Sequence, residues 1–151
     1  MSNPIFTIGY SGATLPNVLS VLSNASIDLV IDVRELPISR KRGFSKNALS
    51  SALQGKGIRY RHLRPLGSPR KVRNEVRETR NYPVFFGRVR KHLRKKEPQE
   101  CLREVLRLAR HQRACLMCCC SDWEYCHRKC IAEALAKLKR VSVKHLNWET
   151  R

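Results

Sequence analysis

The sequence predicts an α/β fold: one domain over residues 1–151, with a mostly parallel central sheet of about five strands flanked by helices on both faces. Three observations predict it. Short apolar runs alternate along the chain with segments of helical period. Several of the runs are apolar nearly throughout, as strands covered on both faces are. A length of 151 residues, 42% of them hydrophobic, is enough for a single core of ordinary size.

The elements follow in order. Ile5–Ile8 reads as a short strand, ended by Gly9-Tyr10-Ser11-Gly12, where glycine permits a tight turn. Leu15, Val18, Leu19 and Leu22 carry the helical spacing. Ile27–Val33 reads as a buried strand with Asp32 and Arg34 near its end, and Ser45 can cap a short helix through Leu49 and Leu53 that Gly55 or Gly57 stops. Ile58–Leu63 alternates apolar and cationic residues, as a strand with one wet face near the sheet edge would. Residues 64–96 read as a basic insertion or mobile segment. Within it, 64–80 is expected to be a long loop or a partly mobile helix, and Phe85–Leu93 a helix. Pro98 suits the first position of a helix whose apolar face is Leu102, Val105, Leu106 and Ala109. Ala114–Cys120 reads as a buried strand, Cys126–Leu138 as a helix and Val141–Leu146 as the last strand.

Charge narrows the function. Lys and Arg number 31 against 12 Asp and Glu, a formal net charge of +19, and residues 1–33 contain no Lys or Arg. Residues 56–103 hold sixteen basic and four acidic residues, with Tyr60, Tyr82, Phe85 and Phe86 interspersed. Unneutralised like charge destabilises a compact chain, so a polyanion partner, nucleic acid above all, is expected. Arg90, Arg94 and Lys95 are the candidate nucleic-acid surface. No apolar run approaches the roughly 18–20 residues of a membrane span. Met1-Ser2-Asn3-Pro4 does not begin a signal peptide either, so a cytoplasmic protein without a membrane partner is expected. Seven cysteines, three of them consecutive at 118–120, make a poor disulfide framework and suggest free thiols or a metal.

In an open parallel sheet, ligands bind beyond the carboxyl ends of the strands. Tyr10 and Ser11, Asp32 and Arg34, Arg40, His62, Cys118 and Cys120, and Cys126-His127-Arg128 all fall at or after such ends. They are expected to share one cleft.

The segments Thr7-Ile-Gly-Tyr-Ser-Gly12, Ile31-Asp-Val-Arg34, Pro37-x-Ser39-Arg40 and Gly43-Phe-Ser-Lys46 resemble the successive motifs of domain-of-unknown-function family 488. So do Gly57-Ile-x-Tyr60-x-His-Leu63 with Leu66-Gly67, and Cys118-x7-Cys126-His127-Arg128. The resemblance runs in order over essentially the whole chain and implies a compact α/β fold with a site built from these segments. It implies little chemistry, since the family has no assigned activity. Where the family usually carries a Glu two residues after the first cysteine of the last motif, this chain has Cys120.

Cys126-His127-Arg128 admits three chemical readings. The helix start could bind an anion, with Arg128 adding a bidentate grip. Cys126 could be a reactive thiol, activated by the helix terminus and neighbouring cations. Cys118 or Cys120 could join Cys126, His127 and Cys130 around zinc, a possible cofactor. A cysteine-phosphatase loop is absent: only Cys101 and Arg107 have its spacing, and they lie within an amphipathic helix. A structural reading also stands, in which Asp32 and Arg34 form an ion pair with Tyr10 packed over it, and Cys130 and His127 are core residues.

The expected function is an enzyme acting on nucleic acid, a nucleotide or another phosphorylated substrate in the strand-end cleft, in DNA repair or base modification for example. Asp32 would be general base or would orient His127, and Cys126 would be nucleophile or ligand. Arg34, Arg40 and Arg128 would hold phosphate, while Tyr10, Ser11 and His62 would position substrate. The alternative is a non-catalytic nucleic-acid-binding protein, and a thiol or zinc protein is the third.

Overall fold

The computed structural model describes residues 3–148. Five strands, β1 (Ile5–Gly9), β2 (Leu29–Asp32), β3 (Arg59–His62), β4 (Ala114–Cys118) and β5 (Val143–His145), form one sheet in the order β3-β2-β4-β1-β5. Every neighbouring pair is parallel. Six helices connect them: α1 (Leu15–Asn24), α2 (Lys46–Gln54), α3 (Arg70–Thr79), α4 (Tyr82–Leu93), α5 (Lys96–Ala109) and α6 (Arg128–Leu138). The expected α/β architecture is what the chain adopts.

Alternation along the strands builds two cores. Leu29, Ile31, Val33, Ala114, Leu116 and Cys118 face α4, α5 and α6. Phe6, Ile8, Val30, Cys115 and Met117 face α1 and α2. Every residue of β1, β2 and β4 is buried, as a strand covered on both sides must be. Strand β3 lies at the edge and turns Arg59 and Arg61 to solvent.

Helix starts are defined by local chemistry. Thr14 caps α1 in a reciprocal box with Asn17, and Asn81 caps α4 through the Val84 amide. Residues 64–96 are largely helical: a 3-10 turn at Arg64–Leu66, then α3 and α4. A loop was one expectation for 64–80 because the stretch is polar. The two valines of α3, Val72 and Val76, stand four residues apart and pack on the core, which is enough to seat one face of the helix. Helix α5 begins two residues before Pro98, which still lies in the first turn where its missing N–H costs nothing. Helix α6 begins at Arg128, not Cys126, because Asp122 caps a separate 3-10 turn at Trp123–Tyr125.

This order places a switch point between β1 and β4. The chain leaves β1 for α1 on one face and leaves β4 for α6 on the other. The two exits are zipped together by Tyr10 N–H on the Cys118 carbonyl at 3.1 Å and Ser11 N–H on the Cys119 carbonyl at 2.7 Å. Such a point is where open α/β sheets hold ligands.

Candidate functional site

The residues expected to share one cleft divide into two clusters on opposite faces of the sheet. Strand parity separates them: Asp32 points toward α1 and α2, while Val33 and Cys118 point toward α6.

The first cluster centres on Asp32, which is fully buried. Arg34 grips it with Nε on Oδ1 at 2.9 Å and Nη2 on Oδ2 at 2.7 Å, and the Arg34 backbone N–H adds 3.1 Å to Oδ1. The Tyr60 hydroxyl donates to Oδ2 at 2.5 Å. Arg34 also donates Nη1 to the Tyr10 hydroxyl at 2.9 Å and to the Phe44 carbonyl at 2.7 Å. The Tyr10 ring stacks on Phe44 with centroids 4.2 Å apart. Burial, then the neighbouring Asp32 charge, pushes the Tyr60 phenol above its usual range. His62 Nε2 donates to the Arg34 carbonyl at 2.7 Å, bracing the chain after β2. The ion pair with Tyr10 over it is thus present, and its Asp32 is enclosed by protein donors.

The second cluster centres on Cys126, 2% exposed, just before α6. Its Sγ lies 3.0 Å from Cys118 Sγ and 3.6 Å from His127 Nδ1. The Arg128 backbone N–H and Nε reach the same sulfur at 3.5 and 3.4 Å. Arg128 is itself 1% exposed and has no carboxylate partner among the described residues. Its Nη1 donates to Thr7 Oγ1 at 2.9 Å and its Nη2 to the Cys120 carbonyl at 2.6 Å. A guanidinium cannot be neutralised, and the neighbouring groups able to carry its counter-charge are the Cys118 and Cys126 sulfurs. Burial alone would raise the Cys126 thiol, but thiol hydrogen bonds from Cys118 and Cys120 and the His127 ring outweigh it and hold Cys126 well below the usual thiol range. His127 loses to burial and gains more from the Cys126 charge, so its pKa is raised.

His127 does not touch Asp32. Its Nε2 donates to the Val33 carbonyl at 2.8 Å, one residue and one sheet face away from the carboxylate that was expected to orient it. Cys130 is also outside the cluster: its thiol faces the Phe86 carbonyl at 3.8 Å, and burial pushes its pKa up to about 11. The residues that could hold a metal are therefore Cys118, Cys126 and His127, all buried, with their ligand atoms within 4.8 Å of one another. Cys120 is exposed and adds a third sulfur, a candidate fourth ligand, beside the cluster.

The remaining candidates lie around this rim. Ser11 and Arg40 are exposed. Arg94 and Lys95 are exposed and have no acidic partner among the described residues, whereas Arg90 is held by Glu133 at 3.1 Å and lies over the Phe86 ring. A hollow of about 360 Å³ lined by Arg64, His92, Lys95, Lys96, Glu35 and Glu97 opens beside the β2 and β3 ends. A second, of about 430 Å³, lies between the start of α1 and Lys41–Gly43.

Sequence reasoning missed Thr7, Tyr60 as an Asp32 partner, Trp123 and His145. The Thr7 hydroxyl donates to His145 Nδ1 at 2.5 Å, and the His145 ring stacks on Trp123 at 4.0 Å. The one available signal was Thr7 itself, a polar residue inside an apolar strand, which needs partners when buried.

No helix among the described residues is long and apolar enough to cross a membrane. No curated protein matches the chain. The family described as Domain of unknown function DUF488 matches residues 14–135, from the cap of α1 into α6, and spans β2, β3 and β4, Cys118 and Cys126-His127-Arg128. The chain therefore belongs to the DUF488 family.

Proposed function

We propose that the protein is an enzyme acting on nucleic acid or a nucleotide at the carboxyl-end rim of its sheet. The observation that carries this reading is uncompensated charge. The described residues hold five ion pairs, one of them the enclosed Asp32–Arg34 pair, so most of the Lys and Arg among them have no acidic partner there. Several converge on the hollow lined by Arg64, Lys95 and Lys96, next to exposed Arg94. A phosphate backbone would supply the missing negative charge and release its own counterions. The Cys126–His127–Arg128 centre at the switch point is the chemically competent group of the same rim. Arg40 and Ser11 are free to contact substrate, while Asp32, Arg34, Tyr10 and His62 hold the frame. Free cysteines suit a reducing compartment, and we assign the protein to the cytoplasm on that ground.

Fluorescence anisotropy with labelled single-stranded DNA, duplex DNA and RNA tests the partner. Affinity should fall steeply with salt. Replacing Arg94, Lys95 and Lys96 together by Gln should flatten the slope of log K against log salt by about 2–3, at roughly 0.7–0.9 per lost phosphate contact. Salt-independent binding, or an unchanged slope in the triple variant, would refute the reading.

The low exposure of Cys126 favours one second reading, a nucleic-acid-binding protein whose sulfur centre is structural. Mass spectrometry of oligonucleotides and nucleotides incubated with the protein separates the two. An enzyme yields a product that Cys126→Ala abolishes, whereas a binder yields none and keeps its affinity in that variant.

A further inference from the structure

We infer that Cys118, Cys126 and His127, closed by Cys120, bind one thiophilic divalent cation of the zinc class where β4 meets α6. The inference does not depend on what the basic surface binds, and an ion closed by four protein ligands goes with the second reading above, in which the sulfur centre is structural.

Three donors already converge, Cys118 from the end of β4 and Cys126 and His127 from the two residues between the Trp123–Tyr125 turn and α6. Tetrahedral zinc, with bonds of about 2.3 Å to sulfur and about 2.0–2.1 Å to nitrogen, holds S and N ligands about 3.6 Å apart and two sulfurs about 3.8 Å apart. The Cys126 Sγ to His127 Nδ1 separation is 3.6 Å. The two sulfurs, at 3.0 Å, need to part by less than an ångström on binding.

The outer shell is in place. A carbonyl can only accept, so His127 Nε2 must carry a proton toward Val33, which leaves the Nδ1 lone pair aimed at the cluster. That arrangement orients metal-binding histidines generally. The Arg128 backbone N–H and Nε donate to Cys126 Sγ and blunt its charge.

Charge selects the fourth ligand. A divalent ion with two thiolates and a neutral imidazole is neutral, and the buried Arg128 would then lack a counter-charge. A third thiolate brings the centre to −1 and balances the guanidinium. Cys120 lies on the adjoining loop with its carbonyl held by Arg128 Nη2 and its thiol on the Tyr125 carbonyl at 3.8 Å, so it closes the site by turning its side chain inward. Cys130 is turned toward Phe86, and Cys115 faces the opposite core. Binding releases the thiol protons and clamps the 119–125 loop over the end of the sheet.

The test uses the full chain, purified without chelator under reducing conditions. Elemental analysis should find one zinc per chain. Apoprotein titrated with Co²⁺ should show the visible bands of a four-coordinate ion and intense sulfur-to-cobalt charge transfer. Cys118→Ser and His127→Ala should each weaken Co²⁺ binding by more than about 100-fold, beyond what losing an outer-shell group costs. Cys120→Ser should keep the ion but lose roughly a third of the charge-transfer intensity, one sulfur in three. Cys130→Ser should change nothing. Circular dichroism verifies that each variant is folded, and Cys126 is left intact because Arg128 depends on it. Folded apoprotein that takes up no Co²⁺, or uptake unaffected by Cys118→Ser and His127→Ala, would overturn the inference. A chain that binds Co²⁺ and ignores nucleic acid would instead sink the proposed function and leave this site standing.

Discussion

Asp32 directs its acceptors inward, to Arg34 and to the hydroxyl of Tyr60. Tyr60→Phe removes one donor from a fully buried carboxylate without changing ring shape, so the cost should approach that of a hydrogen bond to a charged group, about 1.5–3 kcal/mol. A urea titration should show a lower midpoint at unchanged slope. An unchanged midpoint would mean that Arg34 alone satisfies the carboxylate. The Asp32–Arg34 pair was legible in the sequence because both residues sit at one strand end. The partner of His127 was not, since it is the Val33 carbonyl and a backbone acceptor leaves no mark in a side-chain pattern. The carboxylate at position 32 attracted the expectation, but side chains one residue apart on a strand point to opposite faces.

Strands β1, β2 and β4, and helices α1, α2, α5 and α6, were readable from apolar periodicity and end signals. Helix α3 is ambiguous in the sequence because two valines are a faint signal among arginines. The close crossing of the β1 end and the loop after β4 was not readable at all. A Cβ at Gly9 would stand 1.6 Å from the Cys120 carbonyl oxygen and 2.8 Å from Arg128 Nη2. The obstacle is backbone, so Gly9→Ala should force the loop off the sheet and cost at the upper end of the roughly 1–3 kcal/mol typical of overpacking. Thermal denaturation and faster alkylation of Cys126 should both report it. Wild-type stability and thiol protection in Gly9→Ala would show that the loop has room to spare.

At the scale of the whole molecule, a charge of +19 on 151 residues opposes compaction. Raising ionic strength from about 0.01 to about 0.1 M shortens the Debye length from about 30 to about 10 Å. The melting temperature should therefore rise over that range in the absence of any polyanion. A fall would mean that surface attraction outweighs repulsion. Global alternation of strands and helices was visible in the chain, and so was its excess of cations. Which cations remain free was not, because pairs such as Arg90 with Glu133 join α4 to α6 across 43 residues. Distance along a sequence hides such neutralisation.

Thr7 and His145 meet across a separation of 138 residues, and Thr7 in turn supports Arg128. During synthesis the first strand must wait until the fifth has emerged before that link can close. The guanidinium beneath the sulfur centre is thus propped, through one hydroxyl, against the last strand of the sheet, so the two ends of the chain share a single hydrogen-bonded relay.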